Sequence, residues 1–372
     1  MFKALAIVLI CLLTSLSGCI LYEDGGLSIE CKDIENVRKS DGTLRILTYD
    51  IAAFTEEMLS HFTTITGTPV EIIQADDAGG ILELMLKTQS VPQADLAIGL
   101  DNTYLQMAID FCLLQEHQVD TSALDEQVLE FYDGKLAVPF DQGDVCINYD
   151  ENKVNGEDML APTTLWDLTQ PEWKGRIAFP SPLTSSPGRA FLIATIDYFQ
   201  HDEDDQTNAF DWWKAIYANE AIFTTGWTEA YEIHYSGGYG EWVEGHIGDA
   251  WLTVSYCHSP GVEAYYSENS THSTSLTLPR STFHQIEYGS ILNGAIEKDA
   301  ANEFLSYLIS KEVNEQMPKL NLMKSVLNNS TWPTEQGYAY HTDEPMLNAN
   351  ISASDIGENI EMWLLAWSLA TS

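Results

Sequence analysis

The chain has 372 residues and a formal net charge of −39 at pH 7, from 17 lysines and arginines against 56 aspartates and glutamates. That balance excludes nucleic acid as a natural partner, since phosphate binding needs a basic footprint, and excludes charge-driven docking on an anionic membrane. Hydrophobic residues at 45% and aromatics at 11% suffice for a sizeable core, so the chain is a soluble acidic globular protein rather than a disordered one, with a length that suggests two domains.

Met1-Phe2-Lys3 is a short basic start, and residues 4–16 are an apolar run broken only by Thr14 and Ser15. The run is short for a bilayer span, which needs ~20 residues. It ends in Leu16-Ser17-Gly18-Cys19, the pattern of a signal peptide whose last small residues precede a cysteine. That pattern resembles a lipobox, which implies lipidation at Cys19 after removal of residues 1–18. The alternative is an ordinary signal peptide with a chance cysteine. Residues 19–43, with Gly25-Gly26, read as a tether. No other stretch is apolar enough to span, so one lipid anchor on the extracytoplasmic face of the cell membrane is the expected membrane contact.

Strands and helices then alternate. Residues 44–49 read as a buried strand; residues 54–66 carry apolar side chains at helical spacing and are closed by Gly67. Residues 69–73 form a second strand, 80–87 a helix and 94–98 a third strand. This βαβαβ order predicts a parallel sheet, whose ligands sit beyond the carboxyl ends of the strands. Those ends carry Tyr49-Asp50, Asp76-Asp77 and Asp101-Asn102. Residues 136–150 look like an extended crossing out of this first domain. A second α/β pattern follows, with strands at 176–179, 221–225 and 250–255 and helices at 187–199 and 228–235. Strands at 273–278 and 286–288 lead back, and helices at 300–309 and 360–370 are assigned to the first domain.

Six cysteines are present. Cys31, Cys112, Cys146 and Cys257 remain after the signal and anchor positions are set aside; they allow three pairings, and free buried thiols are an equal alternative. His234, His246 and His258 do not stand at metal-site intervals and read as solvated or structural. No nucleophile elbow, metalloprotease helix or phosphate-binding loop occurs, so no catalytic residue, metal or cofactor is expected. Binding features are more specific. Ser185-Ser186-Pro187-Gly188 opens a helix whose free N–H groups suit an anion or simply a cap. Trp227 and Tyr256 end successive strands, either as core or as faces for a ligand cation opposite the acidic tips.

At these residues the chain resembles the thiamine-binding periplasmic proteins, the substrate receptors of thiamine ABC importers. The resemblance runs from about residue 44 to the C-terminus. It rests on Leu47-Thr48-Tyr49-Asp50, Ile98-Gly99-Leu100-Asp101-Asn102, Val138-Pro139-Phe140-Asp141-Gln142-Gly143, Ser185-Ser186-Pro187-Gly188, Gly226-Trp227-Thr228-Glu229-Ala230-Tyr231 and Ser255-Tyr256-Cys257-His258-Ser259-Pro260. It implies an α/β, two-lobed periplasmic-binding-protein fold of type II, with two α/β domains joined by crossing hinge strands. Residues 44–142 and 287–372 would form lobe 1, and residues 143–286 lobe 2. It implies thiamine or a thiamine phosphate as ligand, an ABC permease and ATPase as partners, and a monomer. Tyr49, Trp227 and Tyr256 would flank the ligand rings, and Ser185 and Ser186 would reach its hydroxyl or phosphate end. Asp50, Asp76, Asp77 and Asp101 would attract the thiazolium cation.

Three aromatic positions of the family depart here, falling near Glu56, at Val262 and at Leu322; Tyr235, Tyr239 and Trp242 in an inserted stretch are possible replacements. The competing expectations are a ferric receptor using Tyr265-Tyr266, another small-solute receptor, and a surface enzyme or adhesin.

Overall fold

The computed structural model describes residues 18–23, 26–49, 54–132, 134–157, 159–201, 208–345 and 349–372. The expected signal peptide and Asp50 fall outside these residues, apart from Gly18. Strands β1 (Gly18–Glu23) and β2 (Gly26–Cys31) pair as an antiparallel hairpin that contains Cys19.

The expected βαβαβ order follows as β3 (Leu44–Tyr49), α1 (Glu56–Thr66), β4 (Val70–Ala75), α2 (Ala78–Lys87) and β5 (Leu96–Asp101). Both β4 and β5 run parallel to β3, one on each side. Thr55 caps α1 by accepting from the Met58 N–H, and Gly67 closes it at φ 79°. Then come α3 (Leu105–Asp110), β6 (Leu114–Gln115), α4 (Glu126–Phe131) and the long strand β7 (Val138–Asp150). The second α/β region holds β8 (Ile177–Pro180), α5 (Ser186–His201), α6 (Ala209–Ala218), β9 (Ile222–Thr224), β10 (Leu252–Tyr256), α7 (Ser259–Tyr266) and β11 (Ser273–Leu276). The expected helix at 228–235 is instead a π-helical segment, Glu229–His234. The chain returns through β12 (Phe283–Leu292), followed by α8 (Lys298–Leu308), α9 (Lys311–Asn314), α10 (Met317–Leu320), β13 (Lys324–Ser325) and α11 (Ala353–Ala370).

The main sheet runs in the order β4-β3-β5-β12-β7-β10-β8-β9. Two strands make it continuous across both lobes. The first half of β7 pairs with β12, and its second half with β10 and β11. Each lobe has its own core. The first packs Leu44, Phe62, Ile98, Ile286 and Phe304; the second packs Phe179, Phe191, Trp212, Trp213 and Val254.

Two expectations about domain membership are corrected. Part of the expected tether is strapped to lobe 1. The Asn36 amide donates to the carbonyls of Pro92 and Gly294, Arg38 pairs with buried Asp95, and Cys31 is bonded to Cys112 with Cα atoms 5.3 Å apart. The C-terminal helix α11 joins the second core, not the first: Ile356, Ile360, Trp363 and Trp367 are buried there, and the Trp367 ring lies 5.7 Å from Phe223 and 6.0 Å from Trp213. Its apolar stripe fits the aromatic surface of α6 and β9, a match between distant segments that its own sequence does not reveal. Cys146 on β7 bonds Cys257 just after β10, so of the three possible pairings this one couples adjacent strands.

Trp367→Ala is expected to lower unfolding stability by about 3–5 kcal/mol in urea denaturation, as for other large-to-small changes of a buried tryptophan. A variant that melts like the parent would place α11 outside the second core.

Candidate functional site: a cleft between the two lobes

A cavity of about 780 Å³ opens between the lobes, within the size range of small-molecule pockets. Strand ends and helix starts of both lobes line it. From the sequence-predicted residues it gathers Tyr49, Asp76, Asp77, Ser185, Ser186, Trp227 and Tyr256. Asp101 lies behind the wall rather than on it, fully buried, and accepts from the Thr103 N–H at 2.7 Å.

On the lobe 1 side, β3 ends at Tyr49, whose hydroxyl donates to Glu287 Oε2 at 2.6 Å. The ring can lie flat over β5 because residue 99 is glycine: φ is +104°, and a Cβ there would stand 2.3 Å from Tyr49 Cε1. Asp76 is exposed at the end of β4. Asp77 is the cap of α2, accepting from the Gly80 N–H at 3.0 Å. Burial raises the Asp77 pKa, opposed by the Gly80 and Gly79 N–H groups. Part of its role is therefore to start a helix.

On the lobe 2 side, Trp227 donates from Nε1 to Ser255 Oγ at 2.8 Å and stacks on Tyr231, with ring centroids 5.0 Å apart and planes 16° apart. Its indole thus forms a half-buried wall held in place from behind. Ser185 caps α5 from the lobe 2 side, where the Gly188 N–H approaches its Oγ at 3.5 Å. Four residues after Ser185, buried Arg189 lines the same end of the cavity, its guanidinium 3.7 Å from the centre of the Tyr104 ring of lobe 1. Arg189 Nη1 has no hydrogen-bond partner among the described residues. Burial raises the Asp101 pKa, and Ser186, Thr103 and the Arg189 charge counter it.

Where the lobes meet, Tyr256 stacks on His258 at 5.1 Å and accepts from the Gln285 amide at 3.0 Å. His258 is buried beside the Leu322 carbonyl, and burial lowers its pKa to about 4, so it is neutral. His234 and His246 sit elsewhere, with Nδ1 atoms 2.8 Å from Asp249 and from the Glu232 carbonyl. Among the described residues no three histidine, cysteine, aspartate or glutamate side chains cluster as a metal site.

Sequence reasoning missed Glu287, Arg189, Tyr104 and Tyr231. Glu287 sits inside a returning strand and Arg189 inside a helix, where a charged side chain carries no local signal of a cleft. The departing positions Val262 and Leu322 do line the cavity as aliphatic walls. Of the possible aromatic replacements only Tyr239 lines it; Tyr235 is buried against Ser273, and Trp242 is 81% exposed and off the cavity. Tyr265 and Tyr266 are not among the lining residues either.

Comparison with known proteins adds four similarities. The chain is 24% identical over 305 residues to the thiamine-binding periplasmic protein of Escherichia coli (strain K12), covering 82% of this chain and 84% of that one. Its fold matches a solved periplasmic thiamin binding protein with a TM-score of 0.72 at 22% identity, covering 91% of this chain and 99% of the other. It also matches iron-bound HitA from Pseudomonas aeruginosa with a TM-score of 0.63 at 17% identity, covering 89% and 99%. Residues 51–333 match the family described as bacterial extracellular solute-binding protein. With most of the chain inside that match and a cleft between two lobes, the protein belongs to the bacterial extracellular solute-binding protein family.

Proposed function

We propose that the cleft binds thiamine or a thiamine phosphate and that the chain delivers it, without chemistry, to an ABC permease and its ATPase. The observation that carries this reading is the polarity of one cavity. Tyr49, Trp227, Tyr231 and Tyr256 offer aromatic faces near carboxylates, a setting for a cationic ring system. Ser185, Ser186 and Arg189 offer donors at another part of the lining, a setting for a hydroxyl or phosphate. A thiamine ester has both features in one molecule. The thiamine-binding relatives support the choice of ligand. The ferric reading loses its basis here, since Tyr265 and Tyr266 do not line the cavity. Lipidation of Cys19 would hold a monomer at the extracytoplasmic face of the membrane.

Tryptophan fluorescence of the whole chain is expected to be quenched saturably by thiamine and its phosphates and not by ferric citrate. Trp227→Ala should weaken thiamine binding by about tenfold or more, given the ~0.5–2 kcal/mol of a cation over an indole together with lost stacking area. Absence of any response to thiamine species would remove this reading.

The phosphate end has a separate test. Arg189→Met should weaken a thiamine phosphate by about tenfold or more, the value of a charge-assisted hydrogen bond, and thiamine itself by much less. Equal losses for both ligands in calorimetry would take Arg189 out of phosphate recognition.

A further inference from the structure

Three carboxylates stand side by side where the lobes join. In the register of the sheet, Glu287 on β12 faces Asp101 on β5 on one side and Asp141 on β7 on the other. Directly opposed residues of neighbouring strands share a face, and like charges there destabilise the sheet. All three side chains are buried, which adds the cost of desolvation. Asp101 has relief from Ser186, Thr103 and Arg189. Glu287 and Asp141 have no basic partner in the ion pairs of the described residues.

The neighbours of the pair are all neutral or acidic. Tyr49 on β3 donates to Glu287 Oε2, and Gln285 donates to Glu287 Oε1 at 3.2 Å. Asn321 donates to Asp141 Oδ2, and Tyr256 on β10 stands behind Gln285. Asp141 Oδ1 and Gln285 Oε1, both in buried side chains, have no hydrogen-bond partner among the described residues. The pairing register of β12 shifts on both sides of Tyr288, against β7 and against β5. Such irregularities re-aim side chains near functional sites, and Glu287 lines the cavity between Tyr49 and Tyr256.

We propose that Glu287 is the counter-charge for the cation of the bound ligand, and that it shares one proton with Asp141 until that cation arrives. The proposal rests on the thiamine reading above. In the free protein two close buried carboxylates do not both ionise. Burial raises both Asp141 and Glu287 above the usual carboxylate range. A quaternary thiazolium, whose charge is fixed at every pH, favours the doubly ionised pair. Binding then releases the shared proton from the carboxylic acid to solvent, and the ligand's positive charge takes its place. The linkage has a definite sign. Affinity falls by up to about tenfold per pH unit as pH drops below the pKa of the free pair, and is greatest in alkaline solution. Acidification favours release.

The test is isothermal calorimetry of the whole chain with thiamine at pH 6 and pH 8, in pairs of buffers with different ionisation enthalpies. A neutral thiophene analogue, in which carbon replaces the charged ring nitrogen, is measured alongside. Both ligands keep the aminopyrimidine ring, so its own protonation cancels in the comparison. The expected result is a release of about one proton per thiamine near pH 6 and none for the neutral analogue. Glu287→Gln should weaken thiamine at pH 8 on the order of thirtyfold, in line with truncating one partner of a buried charge pair, and weaken the analogue little. Asp141→Asn should lower the pH at which the proton is released and raise the pH 6 affinity part of the way towards that at pH 8, because the burial of Glu287 remains. Both variants remove a like-charge neighbour, so melting temperatures at pH 8 at or above the parent's show that they fold. Thiamine binding with no proton release, or equal affinity for the neutral analogue, overturns this inference while leaving the ligand assignment intact. Absence of thiamine binding at pH 8 overturns both.

Discussion

Pairing between Val138–Asp150 and Phe283–Leu292 holds the two lobes in register. These two strands lie at the middle of the sheet and carry the chain out of lobe 1 and back into it. The hydrogen-bonded ladder between them fixes where one lobe stands relative to the other, and so fixes the cleft. A bond between Cys146 and Cys257 ties the far end of the longer strand to its neighbour. Each lobe has a separate apolar core; the hinge strands supply the hydrogen-bonded route between them, and the segment leading to α11 in lobe 2 is a further covalent crossing. Across the cleft the lobes also touch through Arg189 over the Tyr104 ring.

Placing polar groups at that hinge has a cost, and the structure limits it in two ways. Hydrogen bonds from Tyr49, Gln285 and Asn321 satisfy most of the carboxylate oxygens. The donors of the helix start reach only the outer carboxylate of the row: Asp101 has Ser186 and the Arg189 charge, while Glu287 and Asp141 have neutral donors. The cleft keeps distinct surroundings for a cation and for an anion. Of the 56 acidic residues, those with a part in this arrangement are a handful; exposed acids dominate the net charge of −39 and act through solubility.

Much of the fold is legible residue by residue. The periodic apolar positions of α1, the left-handed closure at Gly67 and the strand–helix alternation of residues 44–101 are local properties, and the parallel sheet follows from them. The ends of those strands and the helix start at Ser185 also locate most of the cleft wall, because ligands of such sheets sit beyond the carboxyl ends. The lobe that holds the C-terminal helix is not legible locally, because its stripe of Ile356, Ile360, Trp363 and Trp367 says only that one face is buried, not against what. The strapped segment before β3 has the sequence of a tether, because Asn36 and Arg38 look like solvent-facing polar residues until Pro92, Gly294 and Asp95 come beside them.

The class of fold and the acidic composition are readable from the chain alone, since each depends on composition, short-range spacing or motif order. It takes the folded chain to bring Asp101, Glu287 and Asp141 into one row, to turn Arg189 into the cleft, and to join Cys31 to Cys112 and Cys146 to Cys257. The physical reason is range. Glu287 lies 146 positions from Asp141 and 186 from Asp101, and strand register, not sequence distance, sets which carboxylates share a face.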